Sequence, residues 1–484
     1  MSKNVSKTVN KTPLEDMVII LPGVMGSVLQ KDGRDLWAIS GKAIWSVLTQ
    51  SKQAIRDLTL FDDDPEAATL GDGIKATKVM ADAHLVPGLV KIDGYDKVSR
   101  FVKENFQVIE GDIYSDPDDA AANFYHFPYD WRRDNRANAR ILKSLVDKRL
   151  KCWREQSGAQ NAKVIFLAHS MGGLVARYYL EVLQGWQEAR ALVTFGTPHR
   201  GALGALDTLS NGFKKLFIDL TTAVRSFTSI YQLMPIYQAI QVGDRYLRAA
   251  EIDGLPNVDR AKALDALAFH REIEAAVEKN MTNERYQQDF YKLPIVGVSQ
   301  PTLQSASLVD GVLSVSHQLP DVLKGRSDLG DGDGTVPQVS AVPIELSQTL
   351  NSFFIAETHG ALQHQPQTLR DLAKKLANAQ FSLSDVRKPS ATLGLFSEDL
   401  YLPDEAIALR ADVKSLRPIK GLTAIIEPVS HQGTPVSASF QQQTDQQWAL
   451  TLDSLSPGLY RIAVQEKEDA ISSVHSLFEV IGRS

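Results

Sequence analysis

The chain of 484 residues has a single cysteine, Cys152, so it cannot form a disulfide within itself. A fold without disulfides suits a reducing compartment, and one thiol excludes a metal site built from cysteines. Long apolar runs are also missing. Pro22, Gly23 and Gly26 interrupt the most apolar early segment, and nothing reaches the ~18 uninterrupted apolar residues that a membrane helix needs. We therefore expect a soluble, cytoplasmic protein without a transmembrane segment.

An excess of one charge is missing as well. The 52 Lys and Arg residues nearly balance the 58 Asp and Glu residues, and a net charge of −6 offers none of the basic surface that nucleic acid requires. Apolar residues, in contrast, make up 43% of the chain, which is enough for a large core and excludes wholesale disorder. At ~100–200 residues per domain, the length suggests two or three domains.

The first large unit is predicted to be an α/β domain over residues 16–385, preceded by a flexible N-terminal tail at residues 1–15. Short apolar runs alternate with helical periodicity, which is typical of a mostly parallel sheet covered by helices. Helices are predicted over residues 138–156 and 173–184 and from Pro366 onward. The predicted strands are residues 17–21, 124–128, 164–168, 191–195, 293–298 and 353–356.

Two further segments differ from this alternation. Between about residues 204 and 292 the strand pattern lapses and the segment is predicted to be helical, forming either a cap over a pocket or additional core helices. After residue 390, apolar and polar residues alternate with a period of two and turns recur regularly. This pattern predicts a separate, immunoglobulin-like antiparallel β-sandwich over residues 390–484.

The strongest chemical signal is the run at residues 168–173, which places Ser170 between a predicted strand and a predicted helix. A nucleophile elbow needs this context, because the sharp turn exposes the serine hydroxyl and small neighbours let strand and helix approach each other. Ala168 stands where a first glycine is usual and still meets that steric requirement. Ser170 is the predicted nucleophile.

A serine nucleophile needs a histidine base and an acid that orients the histidine. In this fold the chain order is Ser, then Asp or Glu, then His. Asp333 lies in a glycine-rich turn that suits the end of a strand, and Asp331 in the same turn is its rival. A calcium loop does not fit there, because the ligand spacing fails at Leu329.

Four histidines follow the predicted acid. His359 comes directly after the predicted strand 353–356, at the sheet edge where ligands meet open α/β sheets, and we favour it over His364. His431 and His475 fall in the predicted sandwich and are less suitable as the base.

Attack by a serine on a carbonyl group places negative charge on the carbonyl oxygen. Two backbone N–H groups should face this developing oxyanion. Met171, the residue after the nucleophile, should supply one of them. The other should come from the glycine-containing loop after the strand 17–21, from Val24 or, as second choice, from Met25.

These motifs, in this order, resemble the lecithin:cholesterol acyltransferase family of the α/β-hydrolase superfamily, whose relatives include lysosomal phospholipases and phospholipid:diacylglycerol acyltransferases. The matching segments are residues 21–27, 128–132, 168–173, 195–198, 229–235, 332–336 and 359–360. The resemblance implies a triad of Ser170, Asp333 and His359 with Val24 and Met171 as oxyanion donors. It also implies a lid from residues 204–292 over a lipid-sized pocket. The residues predicted for pocket or lid are Met25, Trp131, Phe227, Tyr231, Leu233 and Met234.

The chain also departs from that family. Secreted and lysosomal relatives carry disulfides, one of which ties a lid, and we do not associate a C-terminal β-sandwich with them. The predicted function is a serine-dependent lipid acyl hydrolase or O-acyltransferase that acts through an acyl-enzyme on Ser170, without a metal or an organic cofactor. Its predicted partners are a lipid or long-chain ester and, transiently through the cap, a membrane surface. The alternatives are an esterase, thioesterase or amidase on the same triad, or a non-catalytic interaction protein that uses the sandwich.

Overall fold

The chain folds into an α/β domain followed by a β-sandwich. The computed structural model describes residues 11–38, 52–81, 83–86, 90–115, 121–215, 218–346, 353–378, 391–415, 417–429, 431–467 and 471–481. The predicted boundary between the two units, residues 385–390, lies outside the described residues.

A seven-stranded parallel sheet forms the centre of the α/β domain. Its strands are β1 Met17–Leu21, β2 Glu110–Asp112, β3 Phe124–His126, β4 Val164–His169, β5 Ala189–Phe195, β6 Tyr291–Gly297 and β7 Phe353–Ile355. Their spatial order is β7-β6-β5-β4-β1-β3-β2, with parallel pairing throughout. All six predicted strands are present. The edge strand β2 was missed because its sequence Glu-Gly-Asp has no apolar residue.

Helices flank this sheet, and the predicted ones are present with shifted ends. The predicted helix 138–156 is Asn135–Ser157, which Asp134 caps by accepting the Arg136 N–H. The helix after the elbow is Gly172–Arg177, and it continues as a π-helical turn over Tyr178–Val182. The other helices of this domain are Lys52–Leu58, Asp96–Asn105, Leu203–Asn211, Thr221–Ser226, Thr228–Gln232, Arg260–Asn280, Glu284–Asp289, Gln338–Ala341 and Pro366–Asn378.

Smaller sheets and single turns of 3₁₀-helix surround the central layer. The strands pair as Ser27–Lys31 with Arg34–Trp37 and Ile74–Val79, His84–Val86 with Val90–Ile92, Lys214–Lys215 with Ile218–Asp219, and Ile240–Val242 with Arg245–Leu247 and the hairpin Ser305–Val309 and Val312–Ser316. The 3₁₀ turns are Gly185–Glu188, Ala249–Glu251, Asp321–Leu323, Ser327–Leu329, Ile344–Leu346 and His359–His364.

The structure corrects the predicted N-terminal tail at its end. Thr12–Pro13 pairs in parallel with Phe106–Gln107, and Leu14 is buried. The Glu15 carbonyl accepts the Trp153 indole N–H at 2.7 Å. Backbone pairing of this kind needs no apolar pattern, which is why the polar composition concealed it. Residues 1–10 of that prediction lie outside the described residues.

The segment 204–292 is less uniformly helical than its sequence suggested. Its helices alternate with strands of two or three residues, which are too short to show a period-two pattern. Phe213, Phe227 and Phe269 from this segment are buried in the main hydrophobic core. Other residues of the segment reach the cavity described below.

The C-terminal unit is a two-sheet sandwich, as predicted. One sheet has the order Ala391–Phe396, Ile407–Ser415, Gln447–Leu452 and Gln441–Gln442, and the other Leu400–Tyr401, Val474–Val480, Gly458–Glu466, Leu422–Pro428 and Val436–Ser439. The pairings are antiparallel except that of Leu400–Tyr401 with Val474–Val480. Alternate residues such as Leu409, Ile462 and Phe478 meet in a core of their own. The fold class predicted from sequence, an α/β hydrolase with a C-terminal sandwich, is confirmed.

Candidate active site

Ser170 lies in a sharp turn at the end of β4. Its φ is +52°, a left-handed conformation that is uncommon for a residue with a side chain. Its N–H donates to the Phe195 carbonyl at 2.9 Å, which fixes the turn against β5. A Cβ on Gly173 would lie 2.0 Å from Thr197 Oγ1, so only glycine lets the following helix pack this closely. The local geometry is that of a nucleophile elbow.

Three side chains from separate loops converge at this turn. His359 Nε2 lies 2.9 Å from Ser170 Oγ, and His359 Nδ1 lies 2.7 Å from Asp333 Oδ2. These distances let the serine hydroxyl donate to the imidazole while the imidazole donates to the carboxylate. The arrangement is a hydrogen-bonded Ser-His-Asp constellation in the chain order expected for an α/β hydrolase.

Backbone groups hold the Asp333 carboxylate in place. Its Oδ1 accepts the N–H groups of Thr335 at 3.0 Å and Val336 at 2.7 Å, which leaves Oδ2 for the imidazole. The His359 N–H donates to the Asp333 carbonyl at 2.8 Å, so acid and base are also joined through their backbones. Asp331, the rival acid, points away and lies 3.2 Å from Lys414 of the sandwich.

The other candidate histidines do not reach the serine. His364 Nε2 lies 2.9 Å from the buried Asp93 carboxylate. His431 contacts the Tyr460 ring edge-on, and His475 belongs to the last strand of the sandwich. The structure therefore brings Ser170 together with His359 and leaves the three alternatives elsewhere.

The loop after β1 approaches the serine closely at Gly23. A Cβ on this glycine would lie 2.9 Å from Ser170 Cβ, so a side chain there would displace one of the two loops. Within the described residues, the backbone N–H groups of Val24 and Met171 have no acceptor. The carbonyl of Met25 accepts the Trp37 indole N–H at 3.2 Å. The Met25 N–H has no acceptor among the described residues either, so the amides of Val24, Met25 and Met171 are all unpaired there.

A buried chain of hydrogen bonds links this loop to the histidine. The Gly23 N–H donates to Tyr95 Oη at 2.8 Å, Tyr95 Oη lies 2.9 Å from His169 Nδ1, and His169 Nε2 lies 3.0 Å from the His359 carbonyl. Burial, and to a lesser degree the neighbouring His359 ring, lowers the pKa of His169 to about 3. His169 is therefore neutral, accepting from Tyr95 and donating to the carbonyl.

Tyr95 and His169 were not identified from the sequence. His169 stands inside the elbow motif, so its position next to the nucleophile was the available signal. Tyr95 lies 72 positions from Gly23 in the chain and has no motif of its own.

A cavity of about 870 Å³ opens over the triad. Its walls include Ser170, Asp333 and His359. The α/β domain also contributes apolar residues, namely Val24, Ile92, Pro198, Ile230, Leu233 and Leu303. The sandwich contributes polar residues such as Arg410 and Thr451 and also apolar ones, among them Leu395, Phe396, Leu409 and Leu450.

The structure places the predicted pocket and lid residues in two environments. Leu233 lines the cavity, as do Gly204, Thr208 and Ile230 of the predicted cap segment. The other five predicted residues are not among the lining residues and are buried in the main core: Met25, Trp131, Phe227, Tyr231 and Met234. The aromatic pair at 131 and 227, for example, packs ring to ring at 5.6 Å. Large apolar side chains in such a segment pack with one another and leave smaller ones at the cavity surface.

No described group of three or more His, Cys, Asp or Glu side chains could hold a metal ion. No described helix is both long enough and apolar enough to cross a bilayer.

Comparison with known families decides the assignment of the chain. A family model described as lecithin:cholesterol acyltransferase matches residues 119–366, which is slightly more than half of the chain. The chain belongs to this family. Membership in the lecithin:cholesterol acyltransferase family places it among the acyl hydrolases and acyltransferases. The matched range contains Ser170, Asp333 and His359, whereas Val24 precedes it and the sandwich follows it.

Solved structures that are similar to this chain include a Tle4-Tli4 complex and a lipase. The Tle4-Tli4 complex matches with 16% identity and a TM-score of 0.49, over 77% of this chain and 98% of that chain. Bacillus licheniformis lipase BlEst2 in its propeptide form matches with 11% identity and a TM-score of 0.35, over 97% of this chain and 93% of that chain. No curated protein sequence matches this chain.

Proposed function

We propose that this protein is a serine-dependent acyl hydrolase or O-acyltransferase that acts on lipids through an acyl-enzyme on Ser170. The observation that carries the proposal is the unbroken hydrogen-bond path from Ser170 Oγ through His359 to Asp333, at 2.9 and 2.7 Å. A serine hydroxyl is a weak nucleophile by itself, and a base within this reach is what activates it.

In the first half of the reaction, His359 Nε2 takes the hydroxyl proton while Ser170 Oγ attacks the ester carbonyl. Asp333 orients the imidazole and stabilises its charged form. The negative charge on the tetrahedral oxygen faces the N–H groups of Val24 and Met171, which have no other acceptor in the described part of the chain. Collapse of this intermediate breaks the ester bond, His359 gives its proton to the departing alcohol, and the acyl group stays on Ser170.

In the second half, water or an acceptor alcohol repeats these steps in reverse order. His359 removes its proton, the new oxygen attacks the acyl-enzyme carbonyl, and Ser170 leaves with the proton returned by His359. Water yields a free fatty acid, and an alcohol yields a new ester. Apart from the ester and the acyl acceptor, these steps use only groups of the chain.

The cavity supports a lipid substrate. Its volume of about 870 Å³ is near the upper end of the ~300–1,000 Å³ usual for ligand pockets, and apolar residues from both the α/β domain and the sandwich line it. A small ester or amide would leave much of this volume unfilled, which favours the lipid reading over the short-chain esterase, thioesterase and amidase alternatives. Transient contact of the cap with a membrane surface and a cytoplasmic location stay predictions from the sequence.

Fluorophosphonate labelling and hydrolysis of p-nitrophenyl esters test the proposal. We expect wild type to be labelled and active, and Ser170→Ala to lose both. Ser210→Ala is the matched control, because Ser210 is also a buried serine and its hydroxyl has no partner in the described structure. Labelling of Ser170→Ala at the wild-type level would disprove the assignment of the nucleophile. Lipid extracts incubated with wild type and Ser170→Ala, with and without added alcohols, then identify the acyl donor and acceptor.

A further inference from the structure

The C-terminal sandwich lies against the two loops that carry the acid and the base. On the base side, the carboxylate of Glu357, two residues before His359, is completely buried. It accepts the His475 backbone N–H at 2.7 Å and lies 2.8 Å from His475 Nδ1. The neighbouring Thr358 hydroxyl donates to the His475 carbonyl. One residue of the sandwich therefore engages both residues that precede the base.

On the acid side, Gln300 plays the corresponding part. Its backbone pairs with Gly332, next to Asp333, through hydrogen bonds of 3.0 and 3.2 Å. Its buried side-chain amide donates to the Leu393 carbonyl at 2.9 Å and accepts the Leu395 N–H at 3.0 Å, both in the first strand of the sandwich. The acid loop and the sandwich are thus joined through one glutamine.

The open face of one sandwich sheet also borders the cavity. Ala408 pairs with Thr451 and Arg410 with Ala449 across neighbouring strands, and all four line the cavity. Ala408, Arg410 and Thr451 point away from the sandwich core and are exposed. This sheet face of the sandwich therefore lines the same cavity as Ser170, Asp333 and His359.

We propose that the C-terminal sandwich is part of the active site, where it forms one wall of the substrate cavity and, through His475 and Glu357, positions the loop that carries His359. This rests on the proposed function at Ser170 and extends it to the sandwich. The physical reason is that Glu357 is a buried carboxylate that accepts the adjacent Thr358 N–H at 2.9 Å but takes its other described hydrogen bonds from His475 of the sandwich. Without them its charge would be buried and undersatisfied, and the loop would move to rehydrate it. A displacement of ~1 Å at a catalytic base can cost about 100-fold in rate.

The wall is tested in the full chain with Ala408→Trp, which places a large side chain in the cavity without touching the triad. We expect kcat/KM for p-nitrophenyl palmitate to fall about 10-fold or more and that for p-nitrophenyl acetate to change less than about 2-fold. Ser437→Trp is the matched control, because Ser437 is exposed on the sandwich and does not line the cavity. An equal fall in kcat/KM for both esters, or no fall for p-nitrophenyl palmitate, would overturn the proposal that the sandwich forms a wall of the cavity.

Binding of palmitate to Ser170→Ala, measured by calorimetry, repeats the test without turnover. Adding Ala408→Trp should weaken binding about 10-fold, and adding Ser437→Trp should leave it unchanged. If wild-type hydrolysis proves independent of Ser170, the proposed function fails while this binding result still decides the wall. Unchanged palmitate binding with Ala408→Trp would count against the wall.

The positioning role is tested with His475→Ala and its conservative partner His475→Asn, whose amide can still donate to Glu357. His475→Ala should lower kcat on p-nitrophenyl acetate about 10–100-fold with little change in KM, and His475→Asn should recover to within about 3-fold of wild type. Hydrogen exchange of residues 357–364 should be faster in His475→Ala and restored in His475→Asn. Wild-type kcat and exchange in His475→Ala, or equal losses in both variants, would refute the positioning role.

Discussion

The two sides of the cavity differ in what they are made of and in what they contribute. The α/β side presents Ser170, His359 and Asp333, and backbone hydrogen bonds within the domain hold each of these residues. The sandwich side presents exposed polar side chains such as Arg410 and Thr451 on a regular sheet. Side chains that several hydrogen bonds hold in place suit catalysis, because a catalytic group tolerates little displacement. Exposed side chains suit the binding of a substrate. We therefore expect substitutions on the α/β side to change kcat and those on the sandwich wall to change KM.

The largest effect is expected at the acid. Asp333→Asn keeps the shape of the side chain but can hold His359 in the wrong tautomer, and kcat should fall about 10⁴-fold, as for such substitutions in serine hydrolases. Asp331→Asn, two residues away, should change kcat less than about 3-fold, because its ion pair with Lys414 is largely exposed. Steady-state kinetics on one ester give the kcat of both variants. A larger loss in Asp331→Asn would exchange the roles of the two aspartates.

A smaller effect is expected in the loop after β1. Gly23→Ala would bring a methyl group within 2.9 Å of Ser170 Cβ, and we expect it to displace the Val24 amide from its proposed place at the oxyanion. Loss of one such donor typically costs about 100–1,000-fold in kcat. Gly325→Ala is the control, because a Cβ there meets nothing within 4 Å. If Gly23→Ala raised KM and spared kcat, this loop would belong with recognition and the contrast between the two sides would be lost.

On the sandwich wall, Arg410→Gln should affect binding alone. Arg410 lies over the Phe396 ring at 3.7 Å and presents an exposed guanidinium to the cavity. We expect KM for a lipid with an anionic head group to rise roughly 3–10-fold, with kcat and the KM of a neutral ester unchanged. Arg417→Gln, an exposed arginine elsewhere on the sandwich, is the control. A matching fall in kcat would show that the two sides are not divided as described.

The smallest effect is a pH dependence of stability at the contact between His475 and Glu357. Burial opposes the charged imidazole, but the Glu357 carboxylate outweighs burial and raises the pKa of His475; Lys97 and Asp93 also face it. Because the folded-state pKa exceeds the unfolded one, the contact is strongest below about pH 6.5 and weakens as pH rises through the raised value. The Tm difference between wild type and His475→Asn should therefore be larger at about pH 5.5 than at about pH 9. The difference for His431→Asn, an exposed histidine, should not follow this trend.

The sequence predicted best what depends on neighbouring residues. The elbow at Ser170 and the turn at Asp333 are local, so strand, glycine and acid could be recognised together. Strands buried on both faces, such as β1 and β4, read as continuous apolar runs and were found for that reason. The resemblance to the lecithin:cholesterol acyltransferase family then combined these local motifs into one predicted site.

Features that depend on distant contacts escaped prediction. Glu357 and His475 are 118 positions apart, and each looks like an ordinary polar residue in its own segment. Tyr95 and His169 are also far apart in the sequence and come together only in the folded protein. Trp131 and Phe227 were predicted near the pocket, yet large apolar side chains equally favour burial in the core, which is where both lie.

The cavity is bordered by Gly23 near one end of the sequence and by Ser476 near the other. The last wall of the cavity can therefore form only after the strand Val474–Val480 has been synthesised. The α/β domain can collapse during synthesis, but contacts of such long sequence separation form late in folding. A chain that stopped before the sandwich would carry the serine elbow without this wall, and if the proposed function holds we expect it to be less active toward lipids.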